Sequence, residues 1–263
     1  MKNILKLILS LLFLNIGSNV LAFGVTGHRV IAEIAENHLS GKAKREIRKI
    51  IGNQSLAYHS NWSDFVKSNP SYKHADSWHF INFPAEQSRI QFDEILKTST
   101  TENLYKRTLL FCEQLKNRKE LSEKEKQEAL YFLIHLIGDA HQPLHLGREE
   151  DLGGNKLEVK WFKNTTNLHS VWDTKIVDFQ KYSYTEFAAV LDIHSRKTNR
   201  ELASESLEDW LFDSYQKSER IYSTVKAGDN LGYKYDYDNV DLLEEQLLKG
   251  GLRLAKLLNE VFK

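Results

Sequence analysis

The sequence has 263 residues with 36 basic and 36 acidic side chains, ten histidines, one cysteine and 11% aromatic residues. This aromatic content excludes an intrinsically disordered chain, and a single cysteine excludes a fold held by disulfides within the chain. A net charge of zero gives no general attraction to nucleic acids or anionic membranes, so any binding of a polyanion has to be local.

Residues 1–22 have the pattern of a secretory signal peptide. Lysines precede an almost unbroken apolar run, and small residues lead up to Ala22. The run is shorter than the ~20 residues that a bilayer span needs. We therefore expect cleavage after Ala22, a secreted or periplasmic location, no stable membrane association, and a mature domain over residues 23–263 that begins with Phe23.

The mature chain has the apolar spacing of a helical protein. This spacing predicts helices near residues 26–39, 40–51, 102–118, 122–142, 168–180, 183–194, 204–226 and 238–262. Alternating patterns predict short strands only at residues 79–83 and 156–161. With no linker or repeat to divide the chain, we expect one all-α domain with at most a small β-hairpin.

Two of the predicted helices carry a histidine and an aspartate four residues apart, His135 with Asp139 and His169 with Asp173. Residues at this spacing share a helix face, so each pair can direct two ligand atoms at one ion. The neighbouring residues are apolar, and coordination to a metal would satisfy polar groups buried there. His145 follows just past the end of the first helix. Any one of these histidines could instead be a hydrogen-bonded core residue, but the set indicates a zinc site.

Six motifs follow one another along the chain. They are Phe23-Gly24-x-x-Gly27-His28, Trp62-x-Asp64, Trp78-His79-Phe80, His135-x-x-Gly138-Asp139-x-His141-Gln142-Pro143-Leu144-His145, Gly153-Gly154-Asn155 and Asn167-Leu168-His169-x-x-Trp172-Asp173. In these motifs the chain resembles the zinc-dependent single-strand-specific nucleases. These fungal, plant and bacterial nuclease/3′-nucleotidases share an all-helical fold with zinc-dependent phospholipase C.

The resemblance implies three zinc ions per chain. Asp64, His79, His135 and Asp139 would hold the first; Asp139, His28 and the backbone amine and carbonyl of Phe23 the second; and His145, His169 and Asp173 the third. The free amine exists only if the chain is cleaved after Ala22. Many family members have tryptophan at the position of Phe23, and since the ligand atoms there are backbone atoms, we expect the change to affect packing rather than coordination.

The resemblance also implies roles for five residues around the zinc ions. Asp64 would orient the attacking water or accept its proton. Lys67, one helical turn later, would contact the phosphate unless it is an ordinary surface lysine. Asn155 follows two glycines that let the backbone approach the scissile group. Phe80 would stack on an unpaired base unless it packs in the core, and Asn82 would bind the base edge, where the family often has aspartate.

The remaining histidines match no ligand position. His141 lies between ligands but off the helix face of Asp139, so we expect it to support the site or the fold. We expect His38, His59, His74 and His194 at the surface or at helix ends.

These observations predict an exported endonuclease that cuts single-stranded DNA and RNA to 5′-phosphate products, acts on 3′-nucleotides and works as a monomer. A zinc-dependent phospholipase C is the alternative within the fold, since it would use the same ligands on a lipid phosphodiester. A secreted zinc-binding effector without hydrolase activity is an alternative of another class. The Gly-Gly-Asn loop and Phe80 favour a nucleotide substrate, and the complete ligand set with Asp64 argues against metal storage.

Overall fold

The computed structural model describes residues 23–263, so the predicted signal peptide over residues 1–22 lies outside the described residues. Helices make up most of the described chain, which confirms the predicted all-α fold. The α-helices are α1 (Gly24–Asn37), α2 (Gly41–Ile51), α3 (Leu56–His59), α4 (Trp62–Phe65), α5 (Arg89–Thr98), α6 (Leu104–Lys116), α7 (Glu123–His141), α8 (Leu168–Ser170), α9 (Ile176–Phe179), α10 (Tyr184–Leu191), α11 (Arg196–Leu202), α12 (Leu207–Thr224) and α13 (Tyr233–Val261). Short 3-10 helices at Val66–Ser68, Pro70–His79, Arg118–Glu120 and Pro143–Leu146 and a π-helical turn at Val171–Lys175 lie between them.

Helix α7 is the central element of the fold. Ser122 and Glu125 form a capping box at its start, and the helix ends just before Pro143, as the sequence predicts. Every residue from Ala129 to His141 is buried, so this half of α7 is surrounded by protein. Helices α1 and α13 pack against α7 and against each other.

Glycine permits the close approach of α1 and α13. A Cβ atom at Gly251 would lie 2.5 Å from the Cβ of Ile34, so no larger residue fits without moving one helix. The buried apolar side chains of these helices belong to one continuous core, which also contains the lone Cys112.

The small sheet has one strand more than the predicted hairpin. Strands β1 (Glu158–Trp161) and β2 (Asn164–Asn167) pair antiparallel, with Glu158 opposite Asn167. Strand β3 (Asn230–Leu231) adds to the other edge of β1 in parallel, giving the order β2-β1-β3. The third strand comes from a distant part of the chain, which no local sequence pattern indicates.

The predicted strand at residues 79–83 is wrong. His79 ends a 3-10 helix, and the extended residues after it bond to the segment past α7, with Ile81 N–H donating to the His145 carbonyl at 2.9 Å and Phe83 N–H to the Gly147 carbonyl at 2.9 Å. Alternation of polar and apolar residues is the same for an isolated extended segment as for a strand. Helices α3, α4, α5 and α11 were not predicted either, because α3 and α4 have only four residues each, α5 buries only Phe92 and Leu96, and α11 has almost no apolar periodicity.

Within residues 23–263, no helix combines the length and the apolar character needed to cross a membrane.

Candidate metal centre

The buried end of α7 presents a histidine and an aspartate side by side. His135 and Asp139 lie one turn apart, inaccessible to solvent, with His135 Nε2 3.4 Å from Asp139 Oδ2. Gly138 between them leaves room for a third side chain, because a Cβ there would lie 2.6 Å from Cδ2 of His28. The ring of His28 stacks on that of His135 with centroids 4.0 Å apart.

Histidine and aspartate side chains come together in three groups, within each of which the ligand atoms lie within 4.8 Å of one another. The groups are His28 with His135 and Asp139, Asp64 with His79 and His135, and His145 with His169 and Asp173. Because His135 belongs to two groups, these form one continuous cluster. The third group adjoins it, since His145 Nδ1 lies 3.5 Å from Asp139 Oδ1. The structure therefore brings together all eight side chains that the sequence suggested as metal ligands.

Backbone carbonyls fix the orientation of most of these rings. Nδ1 lies within hydrogen-bond distance of a carbonyl oxygen in four histidines: His28 with Gly24 (3.2 Å), His135 with Ser60 (2.7 Å), His145 with His79 (2.7 Å) and His169 with Gly153 (2.6 Å). A carbonyl only accepts hydrogen bonds, so Nδ1 carries the proton and Nε2 keeps its lone pair. His79 differs, because its Nδ1 lies 2.9 Å from Asp139 Oδ2.

The Nε2 atoms of all five histidines are buried without a hydrogen-bond partner. Carboxylate oxygens lie nearby, for example Asp173 Oδ2 at 3.1 Å from His169 Nε2. A lone pair that faces a carboxylate is unfavourable unless a proton or a metal ion lies between them. His59 Nε2 also has no partner, but His59 stacks on Tyr131 and belongs to none of the three groups. The donor set therefore fits bound metal ions.

The electrostatics of the cluster keep its carboxyl groups ionised. Burial would raise the pKa of Asp139, but the surrounding histidines, His135 and His145 first, hold it well below its ordinary value. Burial lowers the pKa of His79 to about 4. For His135 the two nearby carboxylates outweigh burial and raise the pKa. The carboxylates are thus ready to bind metals, whereas His135, with its raised pKa, would lose a proton on binding a metal.

Asp64 enters the cluster from α4 and pairs with a cation. Lys67 Nζ lies 2.6 Å from Asp64 Oδ1, and the aspartate side chain is fully buried whereas the lysine is 27% exposed. Burial opposes ionisation of Asp64, but His135 and then Lys67 hold its pKa below the ordinary value. Lys67 is therefore not an unpaired surface lysine, because its ammonium group forms an ion pair with the buried carboxylate and is itself partly exposed to solvent.

A cavity of about 430 Å³ opens onto the cluster. It is lined by Lys67, Lys73, Asp76, His79, Phe80, Asn82, Leu144, His145, Leu152, Asn155 and His169. The Phe80 ring is 40% exposed, which argues against the core-packing interpretation of this residue. Each residue that the sequence assigned to substrate binding thus lies at one opening, and the individual roles stay predictions.

Phe23, the remaining suggested ligand, is fully buried. Its carbonyl accepts a hydrogen bond from Gly27 N–H at 3.1 Å, and its ring packs against the same glycine. Gly27 directly precedes His28, so Phe23 contacts the residue next to a member of the histidine and aspartate cluster. Its coordination through the backbone stays a prediction.

Sequence analysis missed several residues at the site: Lys73 and Asp76 line the cavity without a predicted role, and Gln142 and Leu152 shape the site. Gln142 donates a hydrogen bond from Nε2 to Asp173 Oδ1 and accepts one from Leu144 N–H at 2.6 Å, so it holds a ligand of the third group. Leu152 is exposed at the cavity in a left-handed conformation with φ of 56°. The two glycines after Leu152 were the sequence signal for an unusual loop there. Gln142 lies inside the motif from His135 to His145, but its contact with Asp173 could not be read from the sequence.

The other histidines follow the sequence interpretation in part. His141 is fully buried and bonds to the Ile137 carbonyl and to Arg253, which makes it a structural residue as expected. His59 is buried and not at the surface, but it is the last residue of α3 and so lies at a helix end, the other expected position. His38 is half-buried at the end of α1 and bonds to Asp192.

Comparison with known proteins relates the whole described chain to nucleases. The S1/P1 nuclease family model matches residues 23–263. Endonuclease 1 of Arabidopsis thaliana is 30% identical, with 98% of this chain and 93% of the relative covered. Endonuclease 3 of the same plant is 29% identical, with 93% and 90% covered. Nuclease P1 of Penicillium citrinum is 28% identical, with 91% and 97% covered.

Proposed function

The chain belongs to the S1/P1 nuclease family and is a nuclease, and we propose that it is a zinc-dependent endonuclease that cuts single-stranded DNA and RNA. The products would carry 5′-phosphates, and 3′-nucleotides would also be substrates. The observation that carries this proposal is the set of five unpartnered histidine Nε2 atoms among three buried aspartates below one cavity.

Three zinc ions would be held by the side chains of these groups, and Asp139 would be a ligand in two of the three sets that the resemblance to the family implies. Imidazole nitrogens with carboxylate oxygens are a typical zinc donor set. When bound, the ions would lower the pKa of a coordinated water molecule to near neutral, and they would neutralise negative charge on the phosphate.

The residues of the chain would supply orientation and proton transfer. Asp64, ionised, buried and paired with the cavity residue Lys67, would orient the attacking water or accept its proton. Lys67 would place its ammonium group against a non-bridging phosphate oxygen while it stays paired with Asp64. Asn155 lines the same cavity, where its side-chain amide would donate a hydrogen bond to the substrate.

Phe80 and Asn82 support a preference for unpaired bases. Both side chains line the cavity, two residues apart on an extended segment, so a base stacked on Phe80 would bring its polar edge towards Asn82. In a duplex the faces of the bases are covered by their neighbours and cannot stack on a side chain.

Export and cleavage belong to the same proposal. The pattern of residues 1–22 supports a secretory signal peptide, and cleavage after Ala22 would free the amine of Phe23 as a ligand beside His28. An extra alanine ahead of Phe23 in the mature protein should then lower the zinc content, measured by mass spectrometry of the native protein. Unchanged zinc content would argue against the amine as a ligand.

One experiment tests the activity. The mature protein, loaded with zinc, is incubated with single-stranded DNA, RNA, 3′-AMP and phosphatidylcholine vesicles, and again after treatment with a chelator. We expect cleavage of both nucleic acids, release of phosphate from 3′-AMP, and loss of these activities on chelation with recovery on adding zinc. Hydrolysis of the lipid alone would replace the proposal by a phospholipase C, and zinc binding without any hydrolysis would indicate the effector.

A further inference from the structure

The loop between the Pro143–Leu146 helix and β1 has an unusual backbone. Leu152, Gly153 and Gly154 adopt left-handed conformations in succession, with φ of 56°, 65° and 82°. Glycine adopts this region freely, but for leucine it costs about 1–2 kcal/mol. Contacts elsewhere must therefore hold this segment in place.

The side chain of Asp151 provides such contacts. Its Oδ1 accepts hydrogen bonds from Gly154 N–H at 2.7 Å and from the hydroxyl of Tyr222 on α12 at 2.8 Å. Arg148, at the start of the loop, pairs with Glu219 one turn earlier on α12. The loop is thus fastened to α12 at two points, and Asp151 joins the left-handed residues to the helix.

The residues held in this way act at the metal centre. The Gly153 carbonyl accepts the Nδ1–H bond of His169 at 2.6 Å, which fixes the proton on the ring and leaves Nε2 for coordination. The Leu152 carbonyl accepts a bond from the Asn155 side-chain amide at 2.8 Å, which fixes the orientation of Asn155 at the cavity. Asp151 itself does not line the cavity.

We propose that Asp151 is a positioning residue that sets both His169 and Asn155 through the left-handed loop. The inference rests on the proposed function, since it assigns His169 to zinc and Asn155 to the substrate. Removal of a residue that orients a metal ligand typically lowers metal affinity or activity by about 10- to 100-fold.

The test compares Asp151→Ala, Asp151→Asn and a control, Asp229→Ala. Asparagine retains an oxygen that accepts both hydrogen bonds, so Asp151→Asn should keep activity within about threefold of wild type. Asp229 is half-buried like Asp151 and accepts a bond from Lys226 N–H at 2.8 Å, in a turn outside the cavity. Its substitution removes a similar contact without touching the loop.

For Asp151→Ala we expect kcat on a single-stranded oligonucleotide to fall about tenfold, with a smaller change in KM. We also expect faster loss of zinc during dialysis against a chelator, whereas Asp229→Ala should match wild type in both assays. Full activity and full zinc retention in Asp151→Ala would overturn the inference, and so would equal losses in Asp151→Ala and Asp151→Asn. If wild type cuts no nucleic acid, the proposed function fails, while zinc retention still tests the positioning of His169.

Discussion

Two histidines of α7 show how differently the fold treats the same buried side chain. His135 and His141 are both inaccessible to solvent, and the Nδ1 atom of each lies 2.7 Å from a backbone carbonyl oxygen, Ser60 for one and Ile137 for the other. They differ at Nε2. Arg253 donates to His141 Nε2 at 3.1 Å, whereas His135 Nε2 faces the carboxylates of Asp64 and Asp139 at 3.5 and 3.4 Å without a hydrogen bond.

Both ring nitrogens of His141 have hydrogen-bond partners within the protein. Arg253 also donates to the carboxylate of Glu205 at 2.9 Å and the carbonyl of Leu202 at 3.2 Å, and it lies over the ring of Trp210. Around His135, by contrast, two carboxylates face Nε2, and a proton or a metal ion on this nitrogen is needed to satisfy them. Burial and ring orientation therefore do not separate a structural histidine from a ligand, but the partner of Nε2 does.

The strongest test of this comparison substitutes each histidine by glutamine. His135→Gln should lower the bound zinc by at least one ion per chain and kcat by at least ~1000-fold, since charge stabilisation by the metals is lost. His141→Gln keeps an acceptor for Arg253, so zinc content and kcat should stay near those of wild type while Tm falls by a few degrees. Metal analysis and oligonucleotide cleavage measure both effects. Equal zinc content in the two variants would remove the distinction at Nε2.

A smaller effect is expected for a substitution that keeps shape and changes charge. Asp64→Asn should lower kcat by about 100-fold, because an amide cannot accept the proton of the attacking water, while Tm stays within a few degrees. Asp213 offers a matched control, since it is a carboxylate paired with Lys217 at 2.5 Å and Lys249 at 3.0 Å, next to Arg253. Asp213→Asn should lower Tm and leave kcat unchanged. Activity of Asp64→Asn within threefold of wild type would mean that another group handles the proton.

What the sequence predicts well in this molecule is local. The capping box at Ser122, the stop at Pro143 and the four-residue spacing of His135 and Asp139 all act within one helix, and the structure has each of them. The motif order then points to side chains far apart in the chain, such as Asp64 and His169, although spacing alone could not show that they meet.

The features that sequence analysis missed depend on contacts between distant segments. The carbonyls of Ser60 and Gly153 orient His135 and His169, and backbone groups leave no trace in residue identity. Arg253 lies 112 residues from His141, so their bond is equally invisible. The extended segment after His79 resembles a strand because its alternation is real, but its backbone bonds to the loop past α7.

The smallest effect, on stability against pH, has opposite signs for the two histidines in the zinc-free protein. Burial and then Arg253 lower the pKa of His141 from 6.5 to about 3. Below pH 6.5 His141 is therefore protonated in the unfolded chain but stays neutral in the folded chain. The free energy of unfolding decreases as the pH is lowered from 6.5 to about 3. At pH 5 the loss is about 2 kcal/mol, so His141→Gln should flatten the curve of unfolding free energy by this amount.

For His135 the nearby carboxylates raise the pKa despite burial, so its protonated form stabilises the folded, zinc-free protein below pH 6.5 and this contribution is lost as pH rises through the higher folded pKa. His135→Gln should then steepen the fall in stability on acidification, where His141→Gln flattens it. Urea unfolding between pH 8 and pH 5 in the presence of a chelator measures both slopes, since the contribution of His135 changes above pH 6.5 and that of His141 changes below it. Parallel curves for the two variants would show that the carboxylates around His135 do not set its protonation, and that its unpartnered Nε2 has the same electrostatic surroundings as that of His141.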